Sequence, residues 1–210
     1  MSLPFEVKKL NDEIVLVIFD ERSEMCDTLI RFQEYYENPK FRDRIFTLGE
    51  LRESLMHEFG GYTYKHWVDG CNIPGSAFLP FLQGLFDPLT PEEAQFLDVV
   101  CKRRGSFYVI AVYEDYDKDT LTHEECHALY GTNDLYRYEV DDALAAYWND
   151  CEEIVEWLYK EGYCTEVIKD EVHAYVSADA KHLEKENIKY PEELVEILQE
   201  IKSRFPLKDV

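Results

Sequence analysis

Two short runs of β-branched and aromatic residues, EIVLVIF at 13 to 19 and GSFYVIAVYE at 105 to 114, set the strongest limit on what this chain can fold into. Both have the length and residue types of buried strands. After the second run almost every apolar residue recurs at helical spacing. The pattern predicts an α+β fold: a mixed N-terminal lobe with a small sheet, then a helical C-terminal lobe. We expect one domain over residues 1 to 210, with a soft lobe boundary near 117.

Several helices have marked ends. Met25, Leu29, Ile30 and Phe32 follow the first strand at helical spacing. FTLGELRESLMHEFGG places Thr47 and Glu50 as a capping box, Leu51, Leu55 and Phe59 on one face, and Gly60 and Gly61 at the stop. LTPEEAQFLDVVCKR repeats the signature with Thr90, Pro91 and Glu93. Between these helices, residues 62 to 87 are aromatic and punctuated by Gly and Pro. They are expected as a long ordered loop with a short strand at its start, either walling a substrate cleft or filling the core. In the second half, helices are expected over 120–130, 140–161, 166–178 and 191–205. The longest carries Val140, Leu144, Tyr147, Cys151, Ile154 and Leu158 as a continuous stripe, which reads as core, and Gly162 is placed to end it.

Charge narrows the partners. With 44 acidic and 22 basic residues the net charge is -22, which repels phosphate backbones and anionic lipid surfaces. Nucleic acid and membrane are therefore not expected as partners. The acidity reads as a solvated surface or as a match for a basic partner. A nucleic-acid mimic would need an ordered spacing of carboxylates, which the sequence does not show. The 6 cysteines form no C-x-x-C pair, the opening MSLPFEVKKL lacks the apolar stretch of a secretory signal, and no run is long enough for a membrane helix, so a cytoplasmic location is expected.

Chemistry concentrates in LTHEECHALYG, residues 121 to 131, where His123, Glu124 and His127 form H-E-x-x-H. On a helix, positions four apart share a face, so both imidazoles can reach one ion while Glu124 stands beside it. A zinc hydrolase needs this arrangement: two neutral imidazoles as ligands and a carboxylate to take a proton from water. Chance supplies about 0.02 such matches in a chain of this composition. The motif follows a strand and an acidic turn, with Thr120 as a helix cap and Gly131 just beyond the end. On these residues the chain resembles the zincin superfamily of metallopeptidases, in which the metal helix runs below an edge strand that binds extended peptide. The resemblance covers residues 105 to 178.

A third ligand is required. Glu171 is the first candidate, a lone carboxylate on a stripe of Ile168, Ala174, Tyr175 and Ala178, where burial calls for a cation. A glutamate on a later helix resembles the gluzincin branch. Asp134 is a second candidate, in GTNDLY, whose spacing departs from both the metzincin and aspzincin patterns; Glu139 is a third. Asp115, Asp117 and Asp119 have calcium-loop spacing, but Thr120 and Cys126 stand where that loop needs Gly and Glu, so the segment reads as a solvated turn.

The resemblance implies a zincin-like metal site between the two lobes, with one Zn2+ per chain on His123, His127 and Glu171. Glu124 would act as the proton carrier, and Tyr175, His173 or Tyr136 would supply the oxyanion donor. Tyr175 also occupies the place where some gluzincins keep an aspartate that orients a ligand histidine. The activity implied is peptide-bond hydrolysis on a peptide or protein substrate, a basic one suiting the charge. The competing expectation is a non-catalytic acidic interaction module with a structural or degenerate metal site. His57, His66 and His182 have no partner spacing, and Cys126 reads as packing.

Overall fold

The structure is a computed structural model and describes residues 3–59, 68–101 and 107–208. The chain divides into two compact units, Met1–Tyr116 and Asp117–Val210. Its architecture is α+β, with one small sheet in the first unit and a helical second unit.

The first unit is built on a four-stranded sheet of order β1-β2-β4-β3, with β1 at Phe5–Lys9, β2 at Ile14–Phe19, β3 at Gly70–Pro74 and β4 at Tyr108–Tyr113. The central strands β2 and β4 run parallel, pairing Ile14 with Tyr108 through to Phe19 with Tyr113, and the outer strands are antiparallel to them. Consecutive residues of β2 and β4 are buried, which is why both runs read as continuous apolar text rather than alternation. The sheet corrects one expectation. The run at 105 to 114 yields an interior strand bonded on both sides, not the edge strand that the resemblance implies.

Helix α1 (Arg22–Glu37) lays Met25, Cys26, Leu29 and Phe32 into a core shared with Val15, Val17, Ile73, Val109 and Ala111. α2 (Leu48–Phe59) starts at the expected capping box: Glu50 N–H donates to Thr47 Oγ1 at 3.1 Å, and Thr47 N–H donates to Glu50 Oε2 at 2.7 Å. The stop at Gly60 and Gly61, residues 62 to 67 of the aromatic stretch, and His66 lie outside the described residues. The rest of that stretch holds β3, a 3-10 turn (Gly75–Phe78) and the short α3 (Leu79–Leu82). Phe78, Phe81 and Phe86 are at most 2% exposed, and Phe81 meets Phe32 with ring centroids 4.4 Å apart, so these aromatics are core. Gly75 is needed where the backbone passes Phe107, because a Cβ there would stand 2.8 Å from that ring and from its carbonyl oxygen.

Helix α4 (Pro91–Val100) carries the second capping box, and its Glu93 has two duties. Glu93 Oε2 accepts from Thr90 N–H at 2.8 Å, while both carboxylate oxygens accept from the fully buried Arg31 guanidinium, Oε1 at 2.6 Å. Arg31 also donates to the Phe86 carbonyl at 3.2 Å. Arg31 and Glu93 side chains are 2% and 1% exposed, so the pair replaces solvation with a bidentate fork.

The second unit contains α5 (Lys118–Thr132), α6 (Asp134–Tyr147), α7 (Glu152–Glu161), α8 (Ile168–Ala178), α9 (Ala180–Lys185) and α10 (Glu192–Ser203). α5 packs against α8 and α6, and α10 against α6 and α8. The single helix expected over 140 to 161 is two helices joined by a 3-10 turn, Trp148–Cys151. Asn149 and Asp150 sit in that turn, and both side chains compete with the helical backbone for hydrogen bonds. The stripe survives the break at Val140, Leu144, Cys151, Ile154 and Leu158, all fully buried, whereas Tyr147 is half-buried and its hydroxyl donates to Glu193 at 3.1 Å. Gly162 ends α7 at φ 98°, and its N–H donates back to Leu158 and Tyr159 carbonyls. Among the described residues, no helix is long and apolar enough to cross a membrane.

Candidate metal centre

The three expected ligands come from two packed helices of the second unit, His123 and His127 from α5 and Glu171 from α8. The centre is thus contained within one unit, where the sequence placed it between lobes. Asp117, not Thr120, caps α5: its side chain accepts from Asp119 N–H at 3.0 Å, which gives the acidic turn a local structural use. The helix runs through Gly131 and ends at Asn133, whose side chain caps α6 by accepting from Leu135 and Tyr136 N–H groups. Counting four residues along α5 brings His123 and His127 onto one face, and α8 lies against that face with Glu171 turned inward.

The donor atoms converge. His127 Nε2 lies 3.1 Å from His123 Nε2, and Glu171 Oε2 lies 3.7 Å from His127 Nε2 and 4.0 Å from His123 Nε2. Three points at these separations share an equidistant point about 2.1 Å from each, within the bond lengths of zinc to imidazole nitrogen and carboxylate oxygen. His127 and Glu171 side chains are 2% and 5% exposed, and His123 is 13% exposed, so three acceptors meet where water gives little solvation. One cation relieves that convergence better than any hydrogen bond among the three, because two ring nitrogens and a carboxylate supply more lone pairs than protons.

Electrostatics carry the same signature. Burial pushes the Glu171 carboxyl up to about 8, with Asp170 and Glu124 adding to the rise against the opposing pull of His127. Burial also lowers His123 well below the ordinary imidazole value, and the neighbouring His127 lowers it further. For His127 burial acts downward too, but Asp170 and Glu171 outweigh it and raise the ring well above its ordinary value. Neighbouring groups of opposite tendency mark a site that lacks internal charge balance.

Asp170 was not distinguished from the many other acids by sequence reasoning, yet its carboxylate comes closer to the His127 ring than that of Glu171. Its Oδ2 lies 3.0 Å from His127 Nδ1, an ion-pair separation whose alignment falls short of a hydrogen bond. Its Oδ1 lies 3.4 Å from His173 Nδ1. Nearby histidines hold Asp170 down to about 2 against the upward effect of burial.

The other expected site residues are placed as follows. Glu124 is 7% exposed and acts electrostatically on His127, Glu171 and Tyr175. Tyr175 packs its ring edge-on against His123, centroids 4.7 Å apart, and against Trp157 at 4.9 Å. Burial raises the Tyr175 hydroxyl above its ordinary value, so it keeps its proton and remains a donor. His173 is fully buried, with Nε2 2.7 Å from Tyr136 Oη, so its two ring nitrogens face Tyr136 and Asp170 rather than the ligand triangle.

The rival third ligands stand elsewhere. Asp134 is 93% exposed in its side chain and pairs with Arg137, and Glu139 pairs with Arg204. Cys126 is buried, and its thiol reaches the Tyr136 hydroxyl. His57 is exposed, and His182 packs beside Trp157 and Tyr175. Compared with protein-family models, curated proteins and solved structures, the chain matches none of them.

Proposed function

We propose that this protein is a zinc-dependent hydrolase of peptide bonds, with one zinc per chain on His123, His127 and Glu171 in a zincin-like setting. The observation that carries the reading is the donor triangle of 3.1, 3.7 and 4.0 Å, drawn from two helices and buried. Two imidazoles and one carboxylate are the donor set of several catalytic zinc sites, which leave a further position for water or substrate. Bound there, zinc supplies Lewis acidity that polarises a carbonyl and brings the proton of a water within reach of a carboxylate at neutral pH. Glu124 takes that proton and passes it to the leaving amine. Tyr175 holds the His123 ring in place and has a hydroxyl proton to donate toward developing negative charge. The net charge of -22 favours a basic peptide as substrate.

Burial favours a second reading, a structural metal site in an acidic interaction module. Glu124, His127 and Glu171 are at most 7% exposed, and closed coordination is the habit of structural zinc. Metal analysis of the purified protein combined with Glu124→Gln separates the two. A hydrolase binds zinc one to one in both proteins, and the variant loses about 10²-fold or more of its turnover on a fluorogenic peptide library. A chain that takes up no stoichiometric zinc ends both readings. Equal cleavage by the two proteins ends the hydrolase.

A further inference from the structure

Beside the proposed ligands lie four polar side chains that hold no metal in this reading, those of Asp170, His173, Tyr136 and Cys126. We propose that Tyr136, His173 and Asp170 form a positioning relay that keeps the proton of His127 on Nδ1 and so turns its Nε2 lone pair toward the ion. The proposal rests on the metal reading above.

The direction of each contact follows from what each group is able to donate. An ionised carboxylate only accepts. Asp170 presents Oδ2 at ion-pair distance, 3.0 Å, from His127 Nδ1 and Oδ1 at 3.4 Å from His173 Nδ1, so a proton on each Nδ1 is the arrangement that sets no ring lone pair against the carboxylate. A neutral His173 ring with its proton on Nδ1 has a bare Nε2. Tyr136 Oη, 2.7 Å from that nitrogen, therefore donates its hydrogen there. The polarity runs one way from Tyr136 through His173 into Asp170, and His127 meets Asp170 from the other side. Reversing any one member sets two lone pairs or two protons face to face.

Burial makes this order rigid. Tyr136, His173 and Cys126 are fully buried, and the Asp170 side chain is 16% exposed, so bulk water has little access to repair a reversed contact. Tyr130 stacks on the His173 ring with centroids 5.4 Å apart and is itself tied to Asp141 by a 2.7 Å hydrogen bond. Ring flips of His173 are opposed by packing as well as by polarity. The three residues are positioning residues; none of them belongs to the donor cluster of His123, His127 and Glu171.

Two measurements test the relay. Long-range 1H–15N spectra of the histidine rings in metal-free protein should show His173 protonated on Nδ1 and bare on Nε2, and Asp170→Asn should remove that preference. Zinc affinity by chelator competition at fixed pH should fall about 10–100-fold in Asp170→Asn and by a smaller factor in Tyr136→Phe, with shifted Co2+ absorption bands in both. A wild-type His173 protonated on Nε2 overturns the relay, as does folded Asp170→Asn that binds zinc as tightly as the wild type. If Asp170→Asn does not fold, the wild-type tautomer and the Tyr136→Phe affinity decide. Failure of the wild type to take up zinc removes the metal reading itself, an outcome distinct from unchanged affinity in the variants.

Discussion

Glu171→Gln separates a metal ligand from a carboxylate kept for packing. The amide preserves shape and removes charge. In the metal-free protein Glu171 is buried and raised to about 8, so it is held largely protonated at neutral pH, and a neutral amide in its place costs little. The sign follows from linkage. A carboxyl whose folded value lies above its unfolded value favours the fold at low pH and loses that contribution as pH rises from the unfolded carboxylate range through about 8. Metal-free Glu171→Gln should therefore be no less stable than the wild type at pH 7, and its stability should fall less steeply over that window. Zinc held at the proposed centre would reverse the ranking. At a free concentration 100 times the dissociation constant, zinc at the proposed centre would stabilise the wild type by about 2.7 kcal/mol, which for a chain of 210 residues raises Tm by about 5–10 °C. The variant, short of one of the three proposed ligands, should show little of that rise. Thermal melts followed by circular dichroism, with chelator and with buffered zinc, read both halves. A variant destabilised by about 1–3 kcal/mol in chelator, with the zinc shift intact, would mean that Glu171 is a structural acceptor and that the triangle binds no metal.

Two further perturbations probe the frame of the first unit. Glu93→Ala strands the buried Arg31 guanidinium and removes half of the α4 capping box, so chemical denaturation should report a loss of about 3–5 kcal/mol; a loss near zero would mean that Arg31 finds water. Gly75→Ala drives a methyl to 2.8 Å from Phe107, and the melting temperature should drop by several degrees, consistent with about 1–3 kcal/mol of overpacking. An unchanged Tm would show that the Phe107 ring swings aside without cost.

What was legible in the sequence is what local chemistry specifies. Thr47 with Glu50 and Thr90 with Glu93 announce two helices because each box satisfies backbone donors within one turn. The 13–19 and 105–114 runs announce strands because both faces of each are apolar. β1 and β3 were harder to read. FEVKK alternates weakly, and GCNIP contains the two residues that usually break strands, tolerated here because an outer strand bonds on one side alone. α9 escaped because a helix of this length has no full stripe. In the centre, spacing specified that His123 and His127 share a face, and an isolated acid on an apolar stripe pointed to Glu171. Asp170 and the Tyr136–His173 contact were invisible, since nothing local distinguishes one acid among 44 or one tyrosine among 15. Such pairings exist only after α8 has packed against α5 and met Tyr136 of α6.

The placement of β4 between β2 and β3 bears on how any extended chain is held. Its amides and carbonyls are spent on neighbours along both flanks, so an incoming peptide finds no rail there to zip onto. The outward rims of this sheet belong to β1 and β3, one carrying paired lysines and the other closed by proline, two familiar guards against unwanted strand addition. Any hold this sheet has on an extended chain must then come from side chains rather than from a backbone ladder.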